Sequence, residues 1–128
     1  MAKDMRKSDA VRYLAQADEF LGAARHSLES EMCNAATFNA VQAMINANDA
    51  LTVFYLGQRA SSDHREGQKL HADVVKIIND GSQRDRLKAA MDLRSHAGYM
   101  GVPISKGDAE KTVRHAVQFV SWVRNRMK

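Results

Sequence analysis

The segment Leu93-Arg94-Ser95-His96-Ala97-Gly98-Tyr99 gathers several groups that could do chemistry within a few residues. An arginine guanidinium can hold a phosphate through paired hydrogen bonds. An imidazole moves protons near neutral pH, and a phenol can serve as a donor. Arg94 follows Ala90 by four positions and Leu87 by seven, so helical spacing turns it toward an apolar face. A guanidinium there must find a partner or open onto a cleft. His96 and Tyr99 follow within about a turn, where the helix is expected to break. Arg94, His96 and Tyr99 together would suit nucleotide or RNA chemistry. The same spacing also suits a plainer role, with Arg94 and His96 capping carbonyls at a helix end and Tyr99 packed in a loop.

A second constellation is the stripe Asn39, Gln42, Asn46 and Asp49. Neutral amides and one carboxylate at helical spacing could present hydrogen bonds to a base or a ribose. Such residues also fix helix register or bind buried water. The histidines at 26, 64, 71, 96 and 115 do not fall at metal-ligand spacing on one helix, and His26 and His115 read as exposed. Glycine-rich phosphate loops, nucleophile elbows and His-Glu-x-x-His zinc helices are missing. The lone cysteine, Cys33, rules out an internal disulfide and a multi-cysteine metal cage. No metal and no cofactor is implied.

Helices must position these groups. The first is expected from Ser8, as N-cap, to about Ser30, with a seam of Ala10, Leu14, Ala17, Leu21, Ala24 and Leu28. The second, about Asn34 to Leu56, has a small-residue seam of Ala36, Ala40, Ala43, Ala47 and Ala50 ending in Phe54. Its far side carries Phe38, Val41, Ile45 and Thr52, and Asp49 is its only charged residue. A helix so apolar needs cover on nearly every side, which suits either a central position in the bundle or packing against a second copy. Gly57 should cap its end. The stretch from 58 to 67 reads as a loop or loose turn. A third helix runs through Leu70, Val74, Ile77 and Ile78 and stops at Asn79-Asp80-Gly81. A fourth is expected from about Ser82 to Arg94, followed by a loop over 98–103. Ser105 to Asp108 has capping-box spacing and opens a last helix with the seam Ala109, Val113, Ala116, Val120, Val123 and Met127.

The periodicity therefore predicts an all-α single domain over 1–128, a bundle of four or five helices with no strand. Composition agrees, since apolar residues make up 45% and aromatics 6%, with one proline and seven methionines, as a helical bundle wants. No apolar run approaches the ~20 residues that span a bilayer, so no membrane association is expected. The opening Met1 to Lys7 lacks a signal-peptide core, and a reducing cytoplasm is the expected compartment. The net charge of +4 fits a phosphate-bearing partner, yet without a dense basic run it also fits an ordinary solvated surface.

Three segments together resemble the HEPN domain family. They are Ala10 to Ala17 with Leu21 and Ala24, then the alanine-rich Asn34 to Ala43 running on to Leu51 and Gly57, then Leu93 to Tyr99 followed by Val102 to Asp108 and the closing helix. The resemblance implies an up-and-down four-helix bundle with a short additional helix, usually a homodimer. It also implies metal-independent ribonuclease chemistry of toxin–antitoxin or defence type, often with a nucleotidyltransferase-type antitoxin as partner. Carried over by position, Arg94 takes the family's arginine and Ser95 the place of its polar neighbour. The family's histidine, four to six residues further on, falls near Tyr99, while His96 stands only two residues after Arg94. Arg59 with His64 and Arg65 with His71 meet that loose spacing, but lie between the second and third helices and read as chance matches.

Two expectations follow. One is a homodimer binding RNA or a nucleotide in the dimer cleft through Arg94 and Ser95, with His96 and Tyr99 beside them and Asn39, Gln42, Asn46 and Asp49 lining the wall. The other is a non-catalytic module that docks a nucleotidyltransferase-type or other protein partner, its motif residues being structural.

Overall fold

A computed structural model describes residues 2–61, 64–99 and 101–128, and the side chains of all of these except 95–99. Five helices carry the fold: α1 (Ala10–Glu29), α2 (Cys33–Leu56), α3 (His64–Ile78), α4 (Arg84–Tyr99) and α5 (Lys106–Arg126). The architecture is an all-α bundle with α2 at its centre, packed against each of the other four. Its sequence explains that place. Ala36, Ala40, Ala43, Ala47 and Ala50 are all fully buried, and a side chain that ends at Cβ lets neighbouring backbones approach closely. Val41, Met44, Leu51 and Val53 fill what remains. Much of the cover that this largely apolar helix demands thus comes from the chain's own helices.

The helices are tied in definite directions. Asn34, at the start of α2, donates to the Val102 carbonyl at 2.7 Å and accepts from the Ile104 N–H at 2.8 Å, just before α5 begins. At the other end the Tyr55 hydroxyl donates to the Arg126 carbonyl. The two helices therefore run parallel. The Asp80 carboxylate, just beyond α3, accepts from Trp122 Nε1 at 3.0 Å, pairs with Arg126 and accepts from the Ser82 N–H at 3.0 Å. These donors, the Trp122 indole first, hold its carboxyl well below the usual carboxylate range.

Element boundaries differ from the sequence expectation in four places. Asp9, not Ser8, precedes α1, and Ser8 sits in a 3-10 turn over Lys7–Asp9. Asp9 is nearly buried, and its carboxylate accepts from the Arg6 N–H at 3.1 Å and the Arg12 guanidinium at 2.7 Å. Second, two short strands exist, β1 (Lys3–Asp4) and β2 (Gln58–Arg59), paired antiparallel with Lys3 opposite Arg59. Strands of two residues carry no alternation to read; the pairing is set by Gly57, whose φ of 68° ends α2 and whose carbonyl accepts the Met5 N–H at 2.7 Å. Third, α3 already begins at His64 within the supposed loop. It ends through Asn79, at φ 55°, whose N–H reaches the Val75 carbonyl at 2.7 Å. Leu70 and Val74 are buried as their spacing predicts, but Ile77 is 57% exposed. Fourth, α4 continues through Gly98 to Tyr99. A glycine costs a helix only about 1 kcal/mol, and the left-handed residue is Gly101, at φ 64°.

The closing helix matches its expectation. Ser105 Oγ accepts the Asp108 N–H at 3.1 Å, and Ala109, Val113, Ala116, Val120 and Val123 are buried. Among the described residues, no helix is long and apolar enough to cross a membrane.

Candidate functional site

The polar stripe of α2 opens onto a cleft of about 600 Å³. Gln42, Asn46 and Asp49 form its floor at steps of four and three, which puts them on one face of the helix. Tyr13 and Gln16 of α1 stand on one side. Arg59 of β2, His64 of α3, and Met91 and Arg94 of α4 also line it. The volume lies within the ~300–1,000 Å³ usual for small-molecule sites.

The hydrogen-bond accounting of this cleft is incomplete in one direction. Arg59 Nε, Arg94 Nε and Asn46 Nδ2 are buried donors with no partner. Leaving a buried donor unpaired costs about 1–3 kcal/mol, and all three belong to residues that line the same cleft. Arg59 is otherwise held in place, with Nη1 donating to the Ala60 carbonyl at 3.2 Å and its guanidinium 5.6 Å from the Tyr13 ring centre. Asp49 supplies the acceptor. Burial pushes its carboxyl up to about 7, against the opposing pull of Arg59. Two guanidinium groups, an amide donor, an imidazole and a carboxyl near its own midpoint can hold a phosphate and move a proton without a metal. Among the described residues no group of three or more His, Cys, Asp or Glu could hold a metal ion.

The structure brings Gln42, Asn46, Asp49 and Arg94 to this cleft. Asn39 does not reach it and instead lines a shallower hollow with Gln16, Glu19, Phe20 and Ala23. Ser95, His96 and Tyr99 lie in the α4 backbone, but their side chains are outside the described residues. The expected break of the helix at His96 is therefore replaced by a continuous helix. On it, positions two apart are turned by ~200° from each other.

Arg59 and His64, set aside by their position in the sequence, stand in the cleft with Arg94. The spacing signal was present; what hid it was the strand pairing of β2, which folds the segment after α2 back over Asp49. Arg65 and His71 do not join them. His71 is only 1% exposed and its Nδ1 lies 2.9 Å from Asn48 Oδ1. Because Asn48 Nδ2 donates to the Gly67 carbonyl at 3.2 Å, its Oδ1 must accept, so His71 carries its proton on Nδ1. Burial holds this imidazole down to about 4, with Arg84 acting in the same direction. It is a neutral core histidine beside Phe119 and Trp122. His26 is exposed as expected, whereas His115 is half-buried and lowered by burial and by Arg86, Lys111 and Arg114.

Comparison with curated proteins finds none that matches the chain. A family model does match, described as the HEPN domain, over residues 10–126. That span takes in all five helices, and it supports a general role of the HEPN nuclease or RNA-binding type. On this match, and with the all-α bundle it agrees with, the chain belongs to the HEPN domain family.

Proposed function

We propose that the cleft between Arg59 and Arg94 binds a nucleotide or single-stranded RNA through its phosphate. The observation that carries this reading is the convergence of two arginine side chains, Arg59 and Arg94, with Asn46, Asp49 and His64 around one open cavity. A phosphate oxygen is the acceptor that satisfies guanidinium groups most fully. If the bound strand is cut, the ribose 2′-hydroxyl attacks the adjacent phosphorus. Asp49, as carboxylate, takes the hydroxyl proton, and His64 as imidazolium gives one to the departing 5′-oxygen. The products are a 2′,3′-cyclic phosphate and a free 5′-hydroxyl, while Arg59 and Arg94 hold the developing phosphorane charge. A homodimer and a nucleotidyltransferase-type partner belong to the same reading through the family.

Incubation with RNA in EDTA tests the chemistry. Cleavage should survive chelation and fall by about 10²-fold or more in Asp49→Asn and in His64→Ala. Binding without cleavage would leave a nucleotide-binding domain, and loss of both would leave docking of a protein partner as the function.

A further inference from the structure

A second groove, of about 280 Å³, lies between α4 and α5. Met91 and Arg94 of α4 line the cleft, whereas Ala89 and Leu93, on a nearly opposite face of the same helix, line this groove. Lys111 and His115 of α5 stand across from them, and Ile104, just before α5, adds apolar wall. Among its described lining residues Asp108 is the one carboxylate. Arg86 precedes Ala89 by three positions and Leu93 by seven, which puts it on the α4 face that borders the groove. Arg114 follows Lys111 by three positions on α5.

These cations form one cluster. Burial first, and then Arg86, Lys111 and Arg114, lowers the His115 imidazole below its usual value, so all three stand close enough to act on a single ring. Among the described residues none of the three pairs with a carboxylate. Arg86 donates to Gln83 Oε1 at 3.2 Å, and Lys111 and Arg114 are exposed without a bonded partner. Lys88, also on α4, instead pairs with Asp92 at 3.7 Å. Because the cluster draws on two helices, it leaves no basic run in the sequence.

Resting on the phosphate-binding reading above, we infer that this groove is a second binding site for the same RNA strand, taking one base against Leu93 and Ile104 and the flanking phosphates on Arg86, Lys111 and Arg114. A helix with its side chains is ~10–12 Å across, a gap that a few nucleotides of flexible strand cover in passing from Arg94 over α4. A positive groove with apolar wall accepts any base, so recognition here is tolerant of sequence. A flat acidic protein face would meet the cations yet leave the slot between them empty.

The test compares the full chain's affinity for an RNA dinucleotide with that for a strand of about 12 nucleotides, inside the ~4–16 that single-strand grooves take. Both carry 2′-O-methyl riboses, which cannot be cut. The same titrations are made on the double variant Lys111→Gln, Arg114→Gln, whose exposed positions leave the fold intact. The variant should lose about tenfold for the longer strand, with a salt slope lower by about one for each cation removed, and bind the dinucleotide as the wild type does. Ring-proton resonances of His115 should move with the longer strand and stay in place with the dinucleotide. A longer strand that the variant binds as well as the wild type does overturns the second site and leaves Lys111 and Arg114 to an acidic protein face. Equal losses for the two ligands, or an unmoved His115, overturn it as well, and in each of these cases the cleft reading stands. Absence of binding by either RNA in the wild type overturns both.

Discussion

Asp49 shows most plainly how this chain trades stability for a site. A carboxyl that would titrate near 3.8 in the open chain is pushed up to about 7 by burial in the cleft. Its folded form holds the proton more tightly, so its contribution is favourable below pH 3.8 and is lost as pH rises through 7. At about pH 8 the protein carries the full cost of a desolvated carboxylate. Asp49→Asn should therefore raise stability there by roughly 1–2 kcal/mol, a figure discounted for solvent access, with little change near pH 4. Thermal melts at both pH values check this, and a lower melting temperature for the variant at about pH 8 would contradict it. A residue kept at such a cost is a candidate for function rather than for folding. At this scale Arg94 and the α2 stripe were legible from helical spacing, and all but Asn39 of that stripe reach the cleft. Arg59 and His64 were visible as a motif but not as a place, because a strand pairing of two residues leaves no periodic trace.

Among elements, the connections decide what the helices can build. Gly57 ends α2 at φ 68° and offers its carbonyl to Met5, which starts the β1–β2 pairing that carries Arg59 over the cleft. An added Cβ would meet only the Met5 carbonyl oxygen at 3.5 Å, an ordinary contact, so the strain of Gly57→Ala lies in the backbone. The variant should lose about 1 kcal/mol and also weaken ligand binding by loosening Arg59. Denaturant unfolding and a nucleotide titration measure the two separately. Glu31, at φ 59° between α1 and α2, is the opposite case. Among the described residues its side chain makes only an exposed 3.9 Å contact with Lys106, so Glu31→Gly should stabilise the chain by about 0.5–1 kcal/mol. An unchanged or lower unfolding midpoint would contradict that expectation. The helices were legible because their seams repeat over many turns, as in the alanine row of α2. Their ends were less so: Ser8 and Asp9 are both cap-type residues, but Ser8 sits in the 3-10 turn and Asp9 makes no side-chain cap bond to α1, its carboxylate accepting from Arg6 and Arg12 instead. The extension of α4 through Gly98 escaped notice because one glycine near a helix end is a weak stop.

For the whole molecule, His71 and Asp49 act against each other as pH changes. The folded state holds His71 down to about 4, so the stability it contributes is complete above 6.5 and is lost as pH falls toward 4. Asp49 gains over almost the same range, and the two partly offset each other in the wild-type protein. Removing Asp49 should leave His71 unopposed, so that Asp49→Asn loses roughly 2–3 kcal/mol between about pH 6.5 and 4 while the wild type loses roughly 1–2 kcal/mol less. Parallel profiles for the two proteins would contradict this. Below that range Asp80, held ionised by Trp122, Ser82 and Arg126, adds its own loss as it protonates. The buried His71–Asn48 pair could not be read from sequence, because its partners come from separate helices: each sits on the apolar seam of its own helix, but spacing within one helix does not say which residue it faces on another.

On the function proposed above, Arg59 and Arg94 together hold a phosphate in this cleft. The most direct test is the affinity of a short labelled single-stranded RNA across a series of salt concentrations, for the wild type, Arg59→Ala and Arg94→Ala. Each variant should bind about tenfold or more weakly, and the salt slope should fall by about one for each arginine removed. Affinity and slope that stay at wild-type values in both variants would contradict it.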